Sequence, residues 1–161
     1  MTDTALMSFV RESNRIEGIM REPHSHELMA LERFLALDTV TIADLQVFVT
    51  VTQPGAVLRD QPHLNVQVGN HVAPRGGMHV VGSLGNLLSS ERGDINPRLQ
   101  DRDPFETHRA YERLHPFTDG NGRSGRALWL WMMCNRGGRD KERALRLGFL
   151  HSWYYQSLDA S

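Results

Sequence analysis

Long hydrophobic runs are missing from this 161-residue chain: no stretch approaches the 18 consecutive apolar residues that a bilayer-crossing helix needs. The N-terminal MTDTALMSFVRESNR lacks the basic start and apolar middle of a conventional signal peptide. The expectation is a cytoplasmic protein with no membrane partner, or one delivered into another cell's cytoplasm without such a signal. Cysteine is nearly absent. Cys134 stands alone, so no intramolecular disulfide forms, which fits a reducing compartment. An excess of either charge is missing too: 18 basic residues face 19 acidic ones, for a net charge of −1, which argues against a protein that coats nucleic acid. Lysine is represented only by Lys141, so the other 17 basic residues are arginines. Codon bias explains that in general, and only position can single out particular ones. Repeats and low-complexity tracts are also lacking. What remains is 40% hydrophobic residues, enough for one core, and a single domain over residues 1–161 is expected.

Seven stretches have helical spacing, so the expected fold class is all-α. Residues 3–17 carry Leu6, Met7, Val10 and Ile16 on one side, with Gly18 as a stop. Residues 25–37 repeat Leu28, Leu31, Phe34 and Leu35, and residues 41–52 open on Thr41 as an N-cap ahead of Asp44. Residues 79–91, 103–114, 122–136 and 140–156 complete the set. The stretch 122–136, GRSGRALWLWMMCNR, is apolar enough to be the central helix, and Gly137-Gly138 end it. Pro116 biases His115 away from helical geometry. The exception is HLNVQVGNHVAP, residues 63–74, where Val66 and Val68 alternate with polar residues and Gly69-Asn70 signals a tight turn. It reads as a small edge hairpin bracketed by Pro62 and Pro74, or else as an irregular loop.

The chemistry is concentrated in residues 115–126, His-Pro-Phe-Thr-Asp-Gly-Asn-Gly-Arg-Ser-Gly-Arg. Gly120, Gly122 and Gly125 satisfy G-x-G-x-x-G, but a dinucleotide fingerprint must follow a buried strand, whereas FETHRAYERLHPF is helical and charged. A glycine-rich loop opening a helix is instead a site for anions, because the first-turn N–H groups have no partners and the dipole lies behind them. Arg123 and Arg126 place cations in that first turn, each disfavoured by roughly 0.3–1 kcal/mol. Gly125 weakens the helix by about 1 kcal/mol relative to alanine. All three make sense if phosphates bind there. Asp119 would repel phosphates unless a cation lay between, as Mg²⁺ held by one carboxylate, phosphate oxygens and water does. His115 is the natural general base on the same loop. The bland alternative is a capped turn with solvated arginines. The eight histidines show no zinc-ligand spacing, so a metal hydrolase is a poor alternative.

This segment matches H-x-F-x-[DE]-G-N-G-R-x-x-R at all eight fixed positions, an agreement expected by chance on the order of 10⁻¹⁰ per start site. That is the signature of Fic domains, and the order of helix, hairpin, helix pair and motif resembles that family across most of the chain. The resemblance implies a Fic-type helical bundle with a β-hairpin flap, and an enzyme that moves AMP from ATP onto a Tyr, Thr or Ser hydroxyl of a target protein. It implies His115 as the catalytic base, Phe117 as an anchor of the loop, and Asp119 as the Mg²⁺ ligand. Gly120, Asn121 and Gly122 would form the anion hole, with Arg123 and Arg126 on the remaining phosphates. The hairpin, with Asn65, Val66, Gln67 and Val68, resembles the flap that aligns a target by strand addition.

Ser13-Asn14-Arg15-Ile16-Glu17-Gly18 matches [ST]-x-x-x-E-[GN], the inhibitory-helix motif of the same family, which arises by chance about once per 1,000 positions. The plain alternative is an amphipathic helix with Ser13 and Glu17 on one face. The resemblance implies that residues 3–20 hold an inhibitory helix whose Glu17 pairs bidentately with Arg126 and takes the guanidinium from the γ-phosphate. Transfer of another nucleotide or phosphate moiety, and a silent Fic-fold interaction module, stay open. Partners expected are ATP and a hydroxyl-bearing target, with the chain itself as a further acceptor.

Overall fold

The computed structural model describes residues 3–88 and 102–135. Six helices occupy most of them: α1 (Asp3–Ile16), α2 (Ser25–Leu35), α3 (Ile42–Thr52), α4 (Met78–Leu88), α5 (Pro104–Leu114) and α6 (Asn121–Asn135). The strands are β1 (Gln67–Val68) and β2 (His71–Val72), paired antiparallel with Gln67 opposite Val72 and Val68 opposite His71. The all-α class with a small hairpin is therefore observed, and Gly69-Asn70 form the turn. The expected helix over 140–156, the Gly137-Gly138 stop and the end of the 79–91 stretch lie outside the described residues.

Helix α6 is buried on all sides: twelve of its fifteen residues are buried, with α5, α2, α3 and α1 packed against it and its apolar residues concentrated from Ala127 onward. Trp129 and Trp131 are core residues, and the Trp131 Nε1–H donates to Leu37 O at 2.8 Å. Around them lie Leu31 and Phe34 of α2, Leu45 and Val49 of α3, and Tyr111 and Leu114 of α5. On α1 the buried face is Leu6, Phe9, Val10, Ser13 and Asn14. Met7 and Ile16, expected on that face, are only half-buried, because the α1 stripe turns toward α6 through Phe9.

The helix ends explain where the elements stop. Thr41 caps α3: its Oγ1 accepts from Asp44 N at 3.2 Å while Asp44 Oδ2 accepts from Thr41 N at 2.8 Å. Asp103 caps α5 by accepting from Phe105 N and Glu106 N, with Pro104 in the first turn. At the end of α1, Gly18 takes φ +76°, its N–H donates to Arg15 O, and Ile19 N–H donates to Asn14 O. That is the paired closure of a Schellman cap, and it leaves Glu17 as the last residue before the chain turns away. α1 is fastened to α2 by buried Glu27, which accepts from Asn14 Nδ2 (3.1 Å), Arg21 Nη1 (2.9 Å) and His24 N (2.6 Å). Burial pushes the Glu27 carboxyl up, but these donors outweigh it and bring it down to about 2.

Candidate active site

The loop between α5 and α6 is closed on itself by Asn121. Its Oδ1 accepts from Phe117 N and its Nδ2 donates to Phe117 O, both at 2.8 Å. Phe117, buried at 1% exposure, pins the loop to the core. Gly120 makes the turn into α6 at φ +77°, a conformation suited to glycine, and Ser124 N–H then donates to Gly120 O. The N–H groups of the first turn of α6 therefore face the cleft in front of the loop. That cleft has a volume of about 470 Å³ and brings together His115, Asp119, Gly120, Asn121, Gly122 and Arg126.

His115 follows the last turn of α5 and has a left-handed backbone, φ 50° and ψ 63°. Pro116 thus displaces it from helical geometry as expected, though into a helix-ending left-handed cap and not the extended form that a following proline favours. The His115 N–H donates to Tyr111 O. Its side-chain Nδ1 lies 2.8 Å from Glu112 O. A carbonyl only accepts, so Nδ1 carries the proton and Nε2 presents a lone pair. Partial burial lowers the imidazole from its ordinary value of 6.5, with Arg59 and His71 adding to the effect and the Glu112 carbonyl and Glu17 opposing it. The result is a neutral base at physiological pH.

The three residues that break helix rules at the start of α6 have three separate explanations. Arg126, fully buried, donates from Nε to Ser13 Oγ (2.7 Å), and from Nη2 to Ser13 O (3.0 Å) and Glu17 Oε1 (2.6 Å). It faces the C-terminal end of α1, where a cation is favoured. Glu17 therefore meets Arg126 through one oxygen and one nitrogen. Ser13 accepts from Nε and from the same Nη2 that reaches Glu17. Arg123 turns the other way, to Thr52 O at 2.7 Å and to Gln53 Oε1, at the C-terminal end of α3. It does not line the cleft that Arg126 lines. Gly125 faces α5, where an added Cβ would meet Glu112 Oε1 at 2.5 Å and Tyr111 Cδ1 at 3.0 Å. Its role is close helix packing, where an anion site was expected.

Glu17 sits over the glycine turn. A Cβ on Gly122 would collide with the Glu17 carboxylate, which thus lies against the first turn of α6 beside Arg126. A carboxylate disfavoured at the end of its own helix has found the positive end of another. Ser13 contacts the far side of Arg126 and stays out of the cleft.

Asp119 accepts from Gly120 N through Oδ1 at 2.7 Å and is otherwise exposed to the cleft. No group of three or more His, Cys, Asp or Glu side chains among the described residues could hold a metal. A single accessible carboxylate fits Mg²⁺, which keeps most of its ligands as water and phosphate oxygen. Of the flap residues, Val66, Gln67 and Val68 reach the cleft. Asn65 does not: its Nδ2 donates to Pro62 O and its Oδ1 accepts from Gly76 N, which closes the base of the hairpin.

Sequence reasoning missed Arg59, fully buried between α3 and the hairpin. A single arginine after Val57-Leu58 carries no sequence signal that separates it from sixteen others.

A model of the Fic/DOC family matches residues 29–133, well over half of the chain, and the chain belongs to that family. The matched stretch runs from α2 to near the end of α6, so Ser13 and Glu17 lie outside it. No curated protein matches the chain. No described helix is long and apolar enough to cross a membrane.

Proposed function

We propose that the chain is a protein adenylyltransferase, moving AMP from ATP to a Tyr, Thr or Ser hydroxyl, and that Glu17 restrains it. The observation that carries this reading is one cleft holding a neutral His115 Nε2, an accessible carboxylate on Asp119 and a glycine-rich helix start at Gly120–Gly122. His115 Nε2 takes the proton of the target hydroxyl as its oxygen attacks the α-phosphorus. The bond from that phosphorus to the β-phosphate bridging oxygen breaks, and pyrophosphate leaves with the electron pair. The amides of the first turn of α6 and the Arg126 guanidinium hold the phosphate oxygens in line for attack. Mg²⁺ on Asp119 would neutralise charge on the leaving group. The free edge of β1 offers a target segment main-chain hydrogen bonds beside His115.

Glu17 supports the restraint because it occupies Arg126 and lies against Gly122, where a phosphate would bind. The deciding experiment is incubation with labelled ATP, with the chain itself and cell lysate as acceptors. Glu17→Gly raises labelling by about tenfold or more over the unmodified chain. His115→Ala in that background lowers it by roughly 10²–10⁴. Equal labelling with and without Glu17 refutes the restraint, and a fall of less than about tenfold with His115→Ala refutes the base. Unlabelled GTP, UTP and CTP as competitors establish which nucleotide is preferred.

A further inference from the structure

Arg59 has no exposure to solvent, and its charge meets no carboxylate among the described residues. Every partner of its guanidinium is a main-chain carbonyl. Nε donates to His115 O at 2.6 Å and Nη2 to Leu114 O at 2.7 Å, the last carbonyls of α5 and its cap. Nη1 donates to Leu64 O at 3.1 Å and Pro74 O at 2.7 Å, one on each side of the hairpin base. The main chain repeats the connection. Arg59 N–H donates to Pro116 O, Gly77 N–H donates to Arg59 O, and Thr118 N–H donates to Val57 O. Leu58 bridges Phe117 as a short antiparallel contact.

Two features make this a junction and not a generic buried cation. A guanidinium is a planar fork whose donors point in fixed, diverging directions, so it joins carbonyls on different segments without adjusting its own shape. The hairpin base is also packed too tightly for play: a Cβ at Gly76 would meet Gln61 O and the Leu64 carbonyl at 2.5 Å or closer. The flap is therefore fixed to the same atoms that hold His115 in its left-handed conformation.

We infer that Arg59 is a positioning residue, tying the base of the β1–β2 hairpin to the main chain of His115 so that docking edge and catalytic base keep one separation. The inference rests on the reading of His115 as base and the hairpin as docking edge. Its structural half is testable without that reading.

Amide exchange on the full chain reads two reporters: Ala73 N–H, bonded to Val66 O across the hairpin, and Thr118 N–H, bonded to Val57 O beside the catalytic loop. In the unmodified chain they exchange with protection factors within about threefold of each other, as amides of one opening unit do. Arg59→Lys keeps a cation but loses the fork, and it speeds both by about tenfold or more while Val49 in the core stays within about threefold. Protection that differs by more than about tenfold in the unmodified chain, or a variant that frees only one reporter, overturns the inference. In the Glu17→Gly background, Arg59→Lys lowers transfer at saturating ATP by about 100-fold while ATP affinity stays within about threefold. Unchanged transfer, or loss of transfer, ATP affinity and Val49 protection together, also overturns it. Should Glu17→Gly show no transfer, the functional reading falls and the exchange experiment alone decides Arg59.

Discussion

His115 shows how one residue's surroundings set its chemistry. Its left-handed backbone ends α5 and turns the ring so that Nδ1 meets Glu112 O, which fixes the tautomer and leaves Nε2 toward the cleft. Burial lowers the ring's proton affinity, so the neutral, competent form persists below the ordinary value of 6.5. The sign follows directly: transfer by Glu17→Gly stays level above pH 7 and falls only below 6.5, as the imidazole takes up its proton. A rate profile across pH 5–9 checks this, and an inflection above 6.5 contradicts it. At the same scale the arginines teach a different lesson. Arg123 and Arg126 lie three residues apart on one helix, yet one faces α3 and the other α1. Their unfavourable positions at the start of α6 are offset by carbonyls at the ends of other helices.

Among the elements, glycines separate packing from mere tolerance. Gly125 and Gly85 both sit inside helices, but a Cβ at Gly125 meets Tyr111 and Glu112 while one at Gly85 meets nothing within 4 Å. Gly125→Ala is therefore expected to destabilise by about 1–3 kcal/mol through overpacking at the α5–α6 crossing. Gly85→Ala should stabilise by roughly 0.5–1 kcal/mol through propensity alone. Denaturant melts of the two variants check the contrast in sign. Local signals were legible in the sequence: Thr41 with Asp44, the Gly18 stop and the Gly69-Asn70 turn each depend on residues a few positions apart. The site was legible at its motif for the same reason, since His115 through Arg126 lie within twelve residues. Whatever depends on distant segments was not. Arg59 reaches across 56 positions to His115, Gly125 acts through α5, and the direction of Arg123 is set by the end of α3.

For the molecule as a whole, acid sensitivity is built into the core. His108 is buried against α6 with Nδ1 near Gly125 O, and burial pushes its imidazole down to about 3. The unfolded chain protonates this histidine near 6.5 while the folded one does not. Stability is therefore lost as pH falls from about 6.5 toward 3, with a slope approaching 1.4 kcal/mol per pH unit from this group. Glu27, depressed to about 2, adds a second loss as pH falls from its ordinary 4.5 toward that value. Melting temperatures between pH 7 and 4 should drop in the unmodified chain, and drop less in His108→Asn at equal starting stability. The contact between Glu17 and Arg126 belongs to this scale too, since it joins residues 109 positions apart in one chain. A carboxylate tethered this way is present at a local concentration on the order of millimolar or above, set by the fold and not by how much protein there is. Dilution leaves it in place, and any anion seeking Arg126 must outcompete a neighbour that never diffuses away.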